Sequence, residues 1–199
     1  ENKLRAVLCD ECPAPMALVH DSIKQQRRPN IVSVIGESNV GKTVYLGFLL
    51  DMLSQRAGAF ESIPRGPYSV DLQQNVISHM IARMFPPKTP MEPDRWNWAY
   101  HQIRKREKKA PVIDLIMPDM AGESLAAELQ APTTFRVITG LLEITNGILL
   151  LVDAGLSANG SSRSDFFGLK MISYLDSLAS DRKRNRIQTP IAVVLCKSD

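Results

Sequence analysis

Cysteine is scarce: three in 199 residues, at Cys9, Cys12 and Cys196. So few thiols in a chain this long exclude a disulfide-stapled scaffold, and a reducing, cytoplasmic setting is the expectation. Aromatic residues are few at 6%, and the three histidines, His20, His79 and His101, show no metal-ligand spacing. Long hydrophobic runs are also missing. Stretches such as Ile148 to Val152 are far too short to cross a bilayer. The N-terminal ENKLRAVLCDEC has no long apolar core before a small-residue cleavage site, so no signal peptide is visible. Neither charge sign dominates. A net +3 gives no argument for a membrane or nucleic-acid partner.

What is present is the composition of an ordinary globular protein, 44% hydrophobic and 23% charged, long enough for one sizeable core. Residues 1–29 read as a polar N-terminal extension, and from Asn30 apolar runs alternate with helical patterns. Ile31 to Ile35 and Gly147 to Val152 read as buried strands, and Pro190 to Leu195 as the last strand. Trp96 to Ile103 and Val112 to Met117, joined by the charged turn Arg104 to Lys109, read as an antiparallel hairpin. Helical stripes fall at Leu46, Leu49, Leu50 and Leu53, and at Leu72, Val76, Met80, Ile81 and Met84, the latter stopped by Pro86-Pro87. Two further helices surround Ala131-Pro132, and Ser164 to Ser180 carries Phe166, Leu169, Ile172 and Leu175 on one face. Strands alternating with helices imply a mostly parallel sheet covered on both faces, with the hairpin adding an antiparallel edge strand.

One segment carries chemistry. Gly36-Glu37-Ser38-Asn39-Val40-Gly41-Lys42-Thr43 matches G-x-x-x-x-G-K-[ST] without a mismatch, between a strand and an amphipathic helix. Glycines at both ends let the loop curl so that successive N–H groups point at one phosphate, and the following helix adds its positive dipole end. Lys42 is placed to reach β- and γ-phosphate oxygens, and the Thr43 hydroxyl to ligate Mg²⁺.

Two more stretches bear on the base and the metal. Asp119-Met120-Ala121-Gly122-Glu123 ends an apolar strand in D-x-x-G: the aspartate can hold Mg²⁺ through a water, and the glycine amide can sense a γ-phosphate. Cys196-Lys197-Ser198-Asp199 follows another strand and is similar to [NT]-K-x-D, whose carboxylate reads the guanine N1–H and 2-amino group. In this order and context, GESNVGKT, DMAG and CKSD resemble the translation-factor-related (TRAFAC) class of P-loop GTPases. PPKTP, a tryptophan-bearing strand, D-x-A-G-E and a CxxC lead-in further resemble bacterial double-GTPase proteins. The resemblance covers roughly residues 30–199.

By position, the resemblance implies Lys42 and Thr43 as phosphate and Mg²⁺ ligands, Asp119 and Gly122 as the second switch, and Lys197 and Asp199 as base readers. It also requires a threonine of the first switch, before the hairpin. Thr89 is the only threonine between Thr43 and Asp119 and is the candidate; the alternative is that Pro86-Pro87-Lys88-Thr89-Pro90 is a plain loop.

Departures from the pattern temper this. Cys196 replaces the usual Asn or Thr, which weakens the case for guanine selectivity. Glu123 stands where a water-orienting glutamine is expected; its carboxylate can orient water but repels the γ-phosphate, so slow turnover is expected. The long interval from Gly36 to Asp119 implies an insertion at about residues 60–95. No base loop or closing helix follows Asp199, so the domain, residues 30–199, is expected to be C-terminally incomplete. Asn39 either helps to hold a K⁺ ion or simply tolerates the loop's backbone angles. Cys9 and Cys12, with His20, fall one ligand short of a zinc site, and zinc is not expected. The basic runs at 104–109 and 182–186 read as solvated surface.

The expectation is therefore an α/β, P-loop NTPase-like three-layer sandwich that binds GTP and GDP and hydrolyses GTP with Mg²⁺, with Lys42, Glu123 and Thr89 as catalytic candidates and a protein effector or further domains as partners. Two alternatives stand: a nucleotide-binding scaffold with vestigial hydrolysis, and an ATPase using Asp153 as its acidic metal residue.

Overall fold

The computed structural model describes residues 14–24, 26–55, 58–107, 110–158, 162–181 and 187–198. The elements run α1 (Met16–Lys24), β1 (Asn30–Gly36), α2 (Lys42–Ser54), β2 (Phe60–Pro64), α3 (Gly66–Ile81), β3 (Asn97–Lys105), β4 (Ile113–Asp119), α4 (Gly122–Gln130), α5 (Arg136–Ile144), β5 (Gly147–Asp153), α6 (Ala154–Ala158), α7 (Ser162–Asp181) and β6 (Ile191–Cys196).

The strands form one six-stranded sheet in the order β2-β3-β4-β1-β5-β6. β4, β1, β5 and β6 are mutually parallel. β3 runs antiparallel to β4, and β2 antiparallel to β3. The expected antiparallel edge is present, with β2 as one more strand outside it. Parallel registers place Val34 opposite Asp119, Gly36 opposite Leu151 and Asp153 opposite Cys196, so four strands end along one rim. In an open parallel sheet that rim is where ligands bind.

Side chains alternate across the sheet and build two cores. Ile35, Trp98, Tyr100, Ile116, Ile148 and Leu150 pack with Leu18, Leu125, Ile138, Leu141, Phe167, Met171 and Leu175 on one side. Val34, Ala99, Met117 and Leu151 pack with Leu46, Leu50, Leu72 and Val76 on the other. Helices therefore cover both faces, α2 and α3 on one and α1, α4, α5 and α7 on the other. Within central β1 the fully buried Ser33 is the polar residue of the core, and its hydroxyl meets that of Thr145 at 2.7 Å; Thr145 in turn donates to the Leu141 carbonyl.

Far from that rim, the buried Asp114 accepts from Arg27 Nε at 2.6 Å, Tyr100 Oη at 2.9 Å and Gln102 Nε2 at 2.9 Å. Burial alone would raise Asp114, but Arg27, Gln102 and Tyr100 outweigh it and hold the carboxyl below its usual range. This ties the segment before β1 to the hairpin.

Two expectations need correction. The stripe on α7 is not Phe166, Leu169 and Ile172, which are exposed; Phe167, Met171 and Leu175 face the core instead. Helix α3 stops at Ile81, and Ile81 and Met84 are exposed rather than part of a buried stripe. Its end is closed by Arg83 in the left-handed region (φ 57), with Met84 N–H on the His79 carbonyl and Arg83 N–H on the Met80 carbonyl. Among the described residues no helix is long and apolar enough to cross a membrane. Cys9, Cys12, Lys109, residues 182–186 and Asp199 lie outside the described residues, and so do the expectations placed on them.

Candidate functional site

The loop after β1 bends at Asn39 (φ 65) and at Gly41 (φ 103), a left-handed pair in which asparagine and glycine are the least strained choices. It leads into α2, whose first residue is Lys42. The Lys42 side chain folds back under the loop: Nζ donates to the Gly36 carbonyl at 3.0 Å and the Glu37 carbonyl at 2.8 Å. Burial lowers its pKa to about 8, against the opposing pull of Asp119, Glu123 and Glu37, so it remains a cation at neutral pH.

One residue on, the Thr43 hydroxyl lies 3.1 and 3.0 Å from the two carboxylate oxygens of Asp119 and 3.1 Å from Thr89 Oγ1. Thr89 also donates to Asp119 Oδ2, at 2.8 Å. Asp119 ends β4 and is completely buried. Burial raises its pKa, against hydrogen bonds from Thr89, Thr43 and Asn97 and the charge on Lys42. Three chain segments thus bring four hard oxygen donors together. Hydroxyl and carboxylate oxygens are the donors Mg²⁺ prefers, so the residues fit that ion.

Gly122 begins α4 against the loop. A Cβ there would fall 2.6 Å from both Ser38 N and Lys42 Nζ, so only glycine permits this approach. The next residue, Glu123, accepts the Ser38 hydroxyl at 2.5 Å and Lys88 Nζ at 3.4 Å on the same oxygen, Oε1. Partial burial pushes Glu123 up, yet the Ser38 hydroxyl, its own backbone N–H and Lys88 together hold it below the usual carboxylate range. The buried Ser124 then donates to the Met91 carbonyl at 2.8 Å, a second tie between α4 and the loop that carries Thr89.

Ser38 to Thr43, Lys88, Thr89, Gly122 and Glu123 border one cavity of about 700 Å³. It is also lined by Tyr45, Phe85, Val194, Leu195, Cys196 and Lys197. Lys197 takes a left-handed backbone (φ 54) and its Nζ donates to Asp153 Oδ2 at 2.7 Å, while Asp153 Oδ1 accepts the Leu156 N–H of α6 at 3.0 Å. The two candidate acids therefore have different neighbours: Asp119 meets Thr43, and Asp153 meets Lys197.

Gly36 to Thr43, Thr89, Asp119, Gly122, Glu123 and Lys197 all gather at this cavity or directly beneath it. Lys88, Asn97, Ser124 and Phe85 were missed by sequence reasoning. Position beside Thr89 or Glu123 was the only signal for Lys88 and Ser124; Asn97 and Phe85 carried none.

The model of the Double-GTPase 1 family matches residues 33–196, from within β1 to the end of β6. None of the curated proteins matches the chain.

Proposed function

This chain belongs to the Double-GTPase 1 family, and from that premise we propose that it binds GTP and GDP and hydrolyses GTP in a Mg²⁺-dependent reaction. The family's name supports the guanine nucleotide. The observation that carries the rest is the meeting of Thr43, Thr89 and Asp119 beside the Lys42 loop.

In this reading the amides of residues 36–43 grip the β-phosphate. Lys42 exchanges the Gly36 and Glu37 carbonyls for β- and γ-phosphate oxygens. Thr43, Thr89 and Asp119 would hold Mg²⁺, which when bound would offset phosphate charge. The Gly122 N–H faces the γ-phosphate, and Glu123 orients the water that attacks it in line, giving GDP and inorganic phosphate. Glu123 is held as an anion, so it repels the γ-phosphate and turnover is slow. The stem of Lys197 packs along the base, with Asp199 as the base acceptor.

That same anionic Glu123 favours a second reading, a nucleotide-binding scaffold that hardly hydrolyses. Multiple-turnover phosphate release from GTP and from ATP, with a Lys42→Ala control, separates the readings. Release from GTP that vanishes in the variant supports the enzyme. Binding without release supports the scaffold, and a preference for ATP sinks the guanine assignment. The left-handed backbone of Asn39 accounts for that residue without K⁺; a faster rate in K⁺ than in Na⁺ would restore the ion.

A further inference from the structure

We infer that Lys88 is a positioning residue for hydrolysis: it is the counter-charge that lets the Glu123 carboxylate stand beside a γ-phosphate. The inference rests on the GTPase reading above and extends it to a residue that reading leaves without a role.

A carboxylate next to a phosphate dianion is unfavourable unless a cation stands with it. Three lysines line the cavity among the described residues: Lys42, Lys88 and Lys197. Lys42 lies under the loop, and Lys197 is engaged by Asp153. Lys88 is the one that meets Glu123, at 3.4 Å, on the oxygen that also accepts Ser38 of the phosphate loop. One carboxylate oxygen thus bridges the phosphate loop and the Thr89 loop.

The pair is too exposed to matter for folding, with Lys88 68% and Glu123 35% accessible. Its placement is nevertheless fixed. Pro86, Pro87 and Pro90 restrict the backbone around Lys88. Thr89 on Asp119 and Met91 on Ser124 anchor the loop on either side. A long flexible lysine is therefore delivered to Glu123 by a loop already held in place. An ion pair of no consequence in the empty protein becomes consequential when a third, negative group enters.

The test uses the full chain with Mg²⁺ in four forms: wild type, Lys88→Ala, Glu123→Gln and the double variant. The readouts are affinities for fluorescent GDP and for a non-hydrolysable GTP analogue, and the single-turnover GTP hydrolysis rate. GDP affinity is expected to stay within about twofold in Lys88→Ala, while the analogue-over-GDP preference and the hydrolysis rate each fall about tenfold. In the Glu123→Gln background, where no carboxylate needs compensation, removing Lys88 should change the analogue preference by less than about twofold. Lys88→Arg should keep the wild-type preference. An unchanged preference in Lys88→Ala, or an equal loss in both backgrounds, overturns the inference while GDP binding leaves the GTPase reading standing. A wild type that binds neither nucleotide removes both.

Discussion

The Thr89 hydroxyl donates to Asp119 Oδ2 at 2.8 Å, joining two residues 30 positions apart in sequence beneath the phosphate loop. The contact turns a proline-rich segment with no regular structure into part of the site.

If Thr89 is a metal ligand of the triphosphate state, Thr89→Ala should cut GTP hydrolysis by roughly a hundredfold and leave GDP affinity within about threefold. Thr89→Ser keeps the hydroxyl and should recover most of the rate. Single-turnover kinetics beside GDP titration decide it; equal rates in wild type and Thr89→Ala would reduce the segment to a plain loop.

Gly122→Ala places a methyl 2.6 Å from the Ser38 amide nitrogen, and the neighbour is backbone that cannot swing away. The start of α4 must then back off the loop. Overpacking of this kind costs about 1–3 kcal/mol, and here it should fall on triphosphate affinity more than on the melting temperature. A variant that binds a non-hydrolysable GTP analogue as tightly as wild type would show that Gly122 is not close to the γ-phosphate.

His101 is completely buried, with Nδ1 2.8 Å from Ser62 Oγ and Nε2 without a partner among the described residues. Burial lowers its pKa to about 4 from 6.5. The unfolded chain therefore takes up a proton before the folded one, so this contribution is complete above pH 6.5 and is lost as pH falls towards 4. The full loss is about 3 kcal/mol. Urea unfolding between about pH 7.5 and 4.5 should show this slope in wild type, and His101→Gln should flatten it whatever its own baseline. A slope unchanged in the variant would assign the effect elsewhere.

Glu128 is a buried carboxylate that holds the turn between α4 and α5, accepting from Thr133 N at 2.8 Å, Phe135 N at 2.7 Å and Tyr174 Oη at 2.6 Å. Glu128→Ala strands those donors and should cost on the order of 3 kcal/mol in denaturant unfolding. Nucleotide affinity should not change, since the carboxylate lies outside the cavity lining.

Much of this was legible because the signals are local. β1, β5 and β6 are short apolar runs, and the phosphate loop announces itself by spacing between a strand and a helix. β2 was not legible: Phe60–Pro64 pairs along one side only and has a single buried residue, Ser62, so no apolar alternation marks it. On α7, Phe166, Leu169 and Ile172 repeat at helical spacing as well as Phe167, Met171 and Leu175 do, and only the sheet decides which stripe is covered. The end of α3 lacked its usual glycine, because Arg83 takes the left-handed position itself. At the site, Thr89 was reachable by elimination. Contacts such as Lys88 to Glu123 and Ser124 to Met91 depend on the fold bringing distant segments together.

Equilibrium titration of the folded protein with fluorescent GDP, with and without Mg²⁺, is the most direct measurement of the central claim. Saturable binding that weakens when the metal is chelated and is lost in Lys42→Ala is the predicted result. Titrations of wild type that show no saturation up to about 1 mM nucleotide, which means binding weaker than ~4 kcal/mol, would contradict it.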